Sequence, residues 1–327
     1  MNESYSVGVI GSGCAGLSAA IYTSRDDYET LVIRGDEPGG QLTLTSEVAN
    51  YPGFAESITG PELIQEMEDQ ASKFGTEFEH GIVQNIEKEA SKFVVSLKNK
   101  EYAFDGVIIA SGSSARTLGV PGEESLMGYG VSTCATCDGA FYRGDEVAIV
   151  GGGDAAAEEA VFLTKFADTV HLIHRRDELR AESYLTNEVM EKEGTGEINI
   201  LWNTEVVGIE GSKEEGVSQL QIVTHPDGHP TRQDSDEVKD SVLDVDGFFI
   251  AIGHIPNTDF FESVPVSLDS DGYIETVTHG TYETMTDVEG LFVAGDVADK
   301  KYQQAATAVG DGVRAAMDIA DYLQLNQ

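Results

Sequence analysis

Cys134 and Cys137, within the stretch VSTCATCDGAFY from Val131 to Tyr142, are two of only three cysteines in a chain of 327 residues. Two thiols with two residues between them can close into a small reversible disulfide ring, and such a ring needs an electron source. The same pair is half of a zinc site, which takes a second pair to complete four ligands; no second CxxC exists in the sequence. Redox chemistry is the better reading of the pair alone, with a zinc-binding structural protein as the alternative. Asp138 directly follows the second thiol and could protonate a departing thiolate if its own pKa were raised. Asp138-Gly139 is also a good turn pair.

The elements that would supply electrons lie on both sides of this pair. Residues 7–16, VGVIGSGCAG, read as an apolar strand, a Gly11-x-Gly13-x-x-Gly16 turn and the start of a small-residue helix. Glycine permits the tight turn, the near approach of backbone to a pyrophosphate and close helix packing, while the helix N-terminus receives negative charge. The strand before and the helix after separate this motif from a Gly-rich turn in a nucleotide-free sheet. The next strand, TLVIRG, ends on Arg34 where an acid should hold the adenosine ribose; Asp36 and Glu37 come slightly late. Gln41, Leu42 and Asn50 lie in turn-rich loops that suit the edge of a flat heterocycle or are ordinary surface loops. An amphipathic helix is expected around Pro61 to Phe74, and DGVIIASGSSAR at 105–116 closes the unit.

The pattern then begins again. VAIVGGGDAA at 147–156 repeats VGVIGSGCAG at an offset of 140, giving Gly151-x-Gly153-x-x-Ala156, and DGFFIAIGHIPN at 246–257 repeats the closing strand at an offset of 141. Two motifs recurring at nearly one spacing predict two dinucleotide-binding modules, an arrangement suited to electron transfer. After the second strand of the repeat, where a ribose-binding acid would stand, the chain presents His174, Arg175, Arg176 and then Arg180. Arginine at this place accommodates the 2'-phosphate of NADP. The alternative is a solvated basic helix end paired with Glu178 and Glu182. The acidic stretch Asp234 to Asp246 reads as a solvated hairpin face. GLFVAGDV at 290–297 delivers Asp296 to the carboxyl end of a short buried strand, where it can bond the polyol chain of a flavin or cap a helix. Gln304 and Ala305 open a long helix whose N-terminus, facing a flavin, would favour the reduced anionic ring.

CATCD, the two nucleotide motifs, HRRxxxR and AGD, in this order, make the sequence resemble the low-molecular-weight thioredoxin reductases along its full length. The resemblance implies an α/β fold of two Rossmann-like dinucleotide-binding domains of the three-layer ββα type. An FAD-binding domain would comprise residues 1–115 and 247–327, with an NADPH-binding domain at 116–246 inserted into it and carrying the CxxC. It implies a homodimer in which electrons pass from NADPH through FAD and the Cys134–Cys137 pair to thioredoxin or a thioredoxin-like disulfide protein, with Cys137 on the flavin side. Hinges at about 115–120 and 245–247 would let the inserted module offer nicotinamide and disulfide to the flavin in turn. Three positions depart from the family. Cys14 stands where proline is common and reads as a small core residue, Gln303 replaces an arginine, and Arg34 weakens the ribose contact. Rival readings are an NADPH-dependent flavin or ferredoxin-type reductase bypassing the thiols, and a non-enzymatic redox-sensing flavoprotein.

Composition bounds these readings. At 40% hydrophobic residues the chain is globular and long enough for two domains, and its 36 glycines form no low-complexity repeat. No export or membrane anchoring is expected from a sequence without a basic-then-apolar opening or an apolar run near membrane length, and its few cysteines suit a reducing cytoplasm. The formal charge of −38, from 58 acidic against 20 basic side chains, argues against nucleic acid or an anionic membrane as partner. Such self-repulsion loosens a compact fold in dilute buffer, but at molar salt the Debye length falls to about 3 Å. A salt-rich cytosol is therefore expected. Thermal melts should show a markedly higher Tm in molar KCl than in low salt, and equal stability in both would overturn the salt-adapted reading.

Overall fold

The computed structural model describes residues 3–45, 47–89, 91–233, 237–261, 263–277 and 282–326. The chain forms two compact units, Met1–Ser114 with Ile255–Gln327, and Ala115–His254. The first passage runs β1 (Glu3–Ile10), α1 (Cys14–Arg25), β2 (Thr30–Ile33), α2 (Gly60–Lys73), β3 (Glu77–Glu79), β4 (Asn85–Glu89), β5 (Lys92–Ser96), β6 (Glu101–Ile109) and β7 (Ser113–Ala115). There follow α3 (Glu123–Leu126), β8 (Val131–Ser132), α4 (Ala135–Asp138), β9 (Glu146–Gly151), α5 (Asp154–Leu163), β10 (Thr169–Ile173), α6 (Ser183–Thr195) and β11 (Ile198–Leu201). Then come β12 (Thr204–Ser212), β13 (Gly216–Thr224), β14 (Lys239–Asp244) and β15 (Gly247–Ala251), and the return adds β16 (His254–Pro256), β17 (Leu291–Val293) and α7 (Ala305–Leu325).

In the first unit the sheet order is β3-β2-β1-β6-β5-β4, with β17 also paired to β6. The strands around the glycine turn are parallel, Val7 lying opposite both Thr30 and Gly106. TLVI in β2 and LFV in β17 are buried throughout, as strands covered on both faces must be. One face packs on α1, α2 and α7 through Val9, Leu17, Leu63 and Ile319. The other is covered by side chains that include Phe93 and Val95 of the antiparallel β5. The expected helix near 61–74 is α2; Thr59 and Glu62 close a capping box on its first turn.

In the second unit the order is β11-β10-β9-β15-β8, all parallel. Helices α5 and α6 cover one face through Ala157, Ala160, Leu185 and Val189. The antiparallel sheet β12-β13-β14 covers the other, through Val206, Ile209, Leu220 and Ile222 against Ala148 and Phe248. Helix, parallel sheet and antiparallel sheet thus make three layers. The return crossing lies at 254/255 and not at the expected 246/247. The reason is pairing: Phe248 to Ala251 of β15 are bonded to Ala148 to Gly151 of β9, so this strand closes the second sheet. Of the acidic stretch, Asp234 to Asp236 lie outside the described residues, and β14 is largely exposed.

Candidate active site

In the first unit, Gly11 (φ +111°) turns the chain away from the end of β1, and a β-carbon there would come 2.2 Å from the carbonyl oxygen of Ala110. Gly16 allows α1 to close on that turn, since its β-carbon would meet the Gly11 oxygen at 2.0 Å. Gly13 is the N-cap of α1 with no side-chain cap, and the nearest atom to a β-carbon there is the Gly39 oxygen at 3.8 Å. The Ser12 hydroxyl accepts from Gly39 N at 3.0 Å, which holds the loop carrying Gln41 and Leu42 beside the turn. Asp296 follows β17 and caps no helix, α7 beginning only at Ala305. Its Oδ1 is buried without a hydrogen-bond partner, and burial, then Asp299 and Asp311, push its carboxyl up to about 7. Asn50 Nδ2 donates to Gln304 Oε1 at 3.4 Å, joining two expected site residues that are 254 positions apart. Gln304 is the N-cap of α7 and Ala305 its first residue.

A glycine turn open on one side, a helix N-terminus without a side-chain cap and a buried acceptor lacking a donor fit FAD, which carries a pyrophosphate and a polyol. The ribose contact is less complete. Arg34 turns to Glu68 and lies 4.5 Å over the Phe78 ring, while Asp36 and Glu37 stand exposed in the following bend. Cys14 is buried beside Asp296, and burial pushes its thiol up to about 12, as a core residue requires.

The second unit repeats the turn. A β-carbon at Gly151 would lie 2.3 Å from the Ala251 oxygen and 2.5 Å from the Ala156 β-carbon, while none of the other atoms comes within 4 Å at Gly153, the N-cap of α5. His174 is buried against this turn, its Cε1 2.1 Å from where a Gly152 β-carbon would sit, and burial lowers its pKa. It therefore packs as a neutral ring, unlike the arginines that follow. Arg180 N donates to the Gly152 oxygen at 2.7 Å, returning the arginine loop to the glycine turn. Among the described residues Arg175, Arg176 and Arg180 form no ion pair, with Glu178 and Glu182 or any other acid. An open glycine turn beside three arginines without counter-ions fits a phosphorylated dinucleotide.

The same unit carries Cys134 and Cys137, joined as a disulfide with Cα atoms 5.3 Å apart. The zinc alternative fails at the sulfurs, which are bonded to each other. Cys134 is the N-cap of α4; its Sγ accepts from Cys137 N at 3.2 Å and lies 3.3 Å from the Thr136 hydroxyl. Ser132 Oγ accepts from Cys134 N at 3.0 Å. Ala135 N donates to Glu159 Oε2 at 3.3 Å. Burial pushes the Glu159 carboxyl up to about 7, against the lowering effect of that bond. Glu159 is absent from the motifs, yet its signal is visible: it lies on the helix face of Ala156, Ala160 and Leu163, an acid among apolar positions.

Residues 5–312 match the model of the pyridine nucleotide-disulphide oxidoreductases. Thioredoxin reductase of Mycolicibacterium smegmatis is 44% identical over 316 residues, covering 96% of this chain and 95% of that one. The chain belongs to the thioredoxin reductase family. Thioredoxin reductase of Escherichia coli O157:H7 is 43% identical over 317 residues, with 96% and 95% covered. The crystal structure of thioredoxin reductase from Streptococcus pyogenes superposes with a TM-score of 0.88 at 38% identity, covering 99% of this chain and 100% of that one. The cofactors of this family member are FAD and NADPH.

Asp296 makes stability depend on pH in the FAD-free protein. Its folded pKa of about 7 lies above the ordinary 3.8. The fold thus holds the extra proton across that window, and stability falls as pH rises through it. Asp296→Asn removes this fall. Melts should show no difference from wild type at pH 4 and a variant advantage on the order of several °C at pH 8. A constant gap across that range would refute the assignment.

Proposed function

We infer that this chain is an NADPH-dependent thioredoxin-disulfide reductase, passing electrons from NADPH through FAD and the Cys134–Cys137 disulfide to a thioredoxin-like protein. The observation that carries this reading is the disulfide itself, held on the unit that carries the second glycine turn in a chain with two such turns. FAD would be held by Gly11, Gly13 and Gly16 at its pyrophosphate, by Asp296 at its polyol, and by Gln41, Leu42, Asn50, Gln304 and Ala305 around its ring, with Asp36 and Glu37 nearest the adenosine end. NADPH would be held by Gly151, Gly153 and Ala156 at its pyrophosphate and by Arg175, Arg176 and Arg180 at its 2'-phosphate, with His174 packed beneath the turn. The discontinuous first unit is then the FAD domain and Ala115–His254 the NADPH domain.

Bound nicotinamide and flavin supply the two-electron transfer; the chain's own part is to receive it at sulfur. Cys134 has the donors, with Cys137 N–H and the Thr136 hydroxyl within reach of its Sγ. A thiolate is therefore stabilised best at Cys134, which makes it the better leaving sulfur when two electrons enter at Cys137. One proton then converts the Cys137 thiolate to a thiol, and Asp138 is the nearest acid in sequence to give it. Glu159 holds the Ala135 amide and so fixes the first turn of the ring. The reduced pair, one thiolate and one thiol, reduces the partner by exchange: the thiolate attacks the partner disulfide and displaces one partner thiolate, and the second sulfur, giving up its proton, attacks the mixed disulfide, displaces the other partner thiolate and re-forms the Cys134–Cys137 bond.

The surrounding inferences are a homodimer, a reducing cytoplasm and a salt-rich one. They are supported by the family resemblance, by the three cysteines and by the charge of −38. No described helix is long and apolar enough to cross a membrane. Sedimentation in molar KCl should give one species near twice 35.1 kDa, and a species at the monomer mass would overturn the dimer.

Anaerobic titration with NADPH tests the relay. In both Cys134→Ser and Cys137→Ser the yellow flavin band should still bleach, while reduction of a thioredoxin disulfide falls by roughly 1,000-fold or more. Undiminished disulfide turnover in either variant would instead favour a flavin reductase whose electrons bypass the thiols.

A further inference from the structure

A second loop of the same unit leans on the arginine loop. Between β13 and β14 the chain reads His225-Pro-Asp-Gly-His229-Pro-Thr-Arg232, and its backbone is tied to the segment after β10. His229 N donates to the Arg175 oxygen at 2.8 Å, Asn203 N to the Arg176 oxygen at 3.0 Å, and His225 N to the Asn203 oxygen at 3.1 Å. A β-carbon at Gly228 would come 2.8 Å from the Arg175 oxygen, so the loops touch along their backbones.

His229 is unusual within this contact. It is held at φ +47°, a conformation that side chains seldom adopt and that persists only where its surroundings impose it. Its Nδ1 is buried without a hydrogen-bond partner. Desolvation, then Arg175, Arg176 and Arg232, depress its pKa, with Glu205 of β12 opposing them. Glu205 is already engaged, accepting from Thr231 N at 2.9 Å and from the Thr231 hydroxyl at 2.7 Å. Among the described residues Arg232, like Arg175 and Arg176, has no ion pair. In a chain with 58 acids and 20 bases, three arginines without ion pairs near a half-buried imidazole repel one another until an anion enters.

We propose that His229 and Arg232 are specificity-determining residues for the nicotinamide cofactor. Together with Arg175 and Arg176 they enclose its 2'-phosphomonoester, so that the β13–β14 loop shares in selecting the phosphorylated form. The proposal rests on the reading of the arginine loop as the 2'-phosphate site. A bound dianion stabilises imidazolium at His229, so binding takes up a proton there and tightens as pH falls from 8 towards 7, below which the ester's own second ionisation, near about 6, offsets the gain. Arg175, Arg176 and Arg232 work against that proton and Glu205 works for it.

The test is calorimetric titration of the FAD-loaded protein with adenosine 2',5'-bisphosphate and with 5'-AMP, at one salt concentration and at pH 6, 7 and 8. Wild type should prefer the bisphosphate. His229→Asn keeps a residue that tolerates positive φ while removing the imidazole, and Arg232→Ala alters an exposed side chain. Each should weaken the bisphosphate roughly ten-fold and leave 5'-AMP within about two-fold. His229→Asn should also abolish the extra proton uptake seen in buffers of differing ionisation enthalpy. Bisphosphate affinity unchanged in both variants while Arg176→Ala weakens it would overturn the proposal and leave the arginine-loop reading standing. Equal weakening of both nucleotides would also overturn the proposal, as the sign of a structural role. No effect from Arg176→Ala or Arg180→Ala, or no wild-type preference for the bisphosphate, would overturn the arginine-loop reading and the proposal with it.

Discussion

The structure depends on a steric exclusion that occurs twice. A β-carbon at Gly11 would sit 2.2 Å from the carbonyl oxygen of Ala110, and one at Gly151 would sit 2.3 Å from that of Ala251. In each sheet the strand entering the turn is paired in parallel with the strand ending on that carbonyl, β1 with β6 and β9 with β15. The chain can leave its sheet there only as bare backbone. Each turn therefore runs at once into a helix whose N-cap is a glycine without a side-chain cap, and each helix start offers unsatisfied N–H groups to a pyrophosphate.

Around these turns, a strongly acidic protein treats a few charges differently from the rest. Most of its 58 acids lie at the surface. Asp296 and Glu159 are the exceptions with chemical consequence, because burial pushes both carboxyls up to about 7. One waits with an unpartnered oxygen at the first unit's turn, and the other holds the amide of Ala135 inside the disulfide ring. Basic side chains are scarce, yet among the described residues Arg175, Arg176 and Arg180 have no carboxylate partner at the second turn. Elsewhere Arg34 and Arg314 are paired with acids.

Much of this was legible because it is local. The glycine turns need a strand, a fixed glycine spacing and a helix within about ten residues, and the recurrence at an offset of 140 betrays the second unit. The CxxC pair is local for the same reason. Less legible were contacts between residues distant in sequence. Arg34, at the end of β2, turns to Glu68 and Phe78, and the strand of the closing repeat, β15, pairs with β9 inside the second unit, which runs to His254. His174 shares a motif with the arginines but packs into the fold against Gly152.

The sequence by itself determined the two nucleotide turns, the redox pair and the run of arginines, because backbone sterics and thiol spacing act over a few residues. Only the tertiary structure decided what surrounds them. Asp296 has a buried oxygen without a donor, Glu159 reaches the amide between the cysteines, and the loop of His229 is bonded through its backbone to an arginine loop some 50 residues earlier in the chain. Those facts depend on burial and on neighbours contributed by other strands and loops, of which spacing along the chain encodes only the place of Glu159 on an apolar helix face.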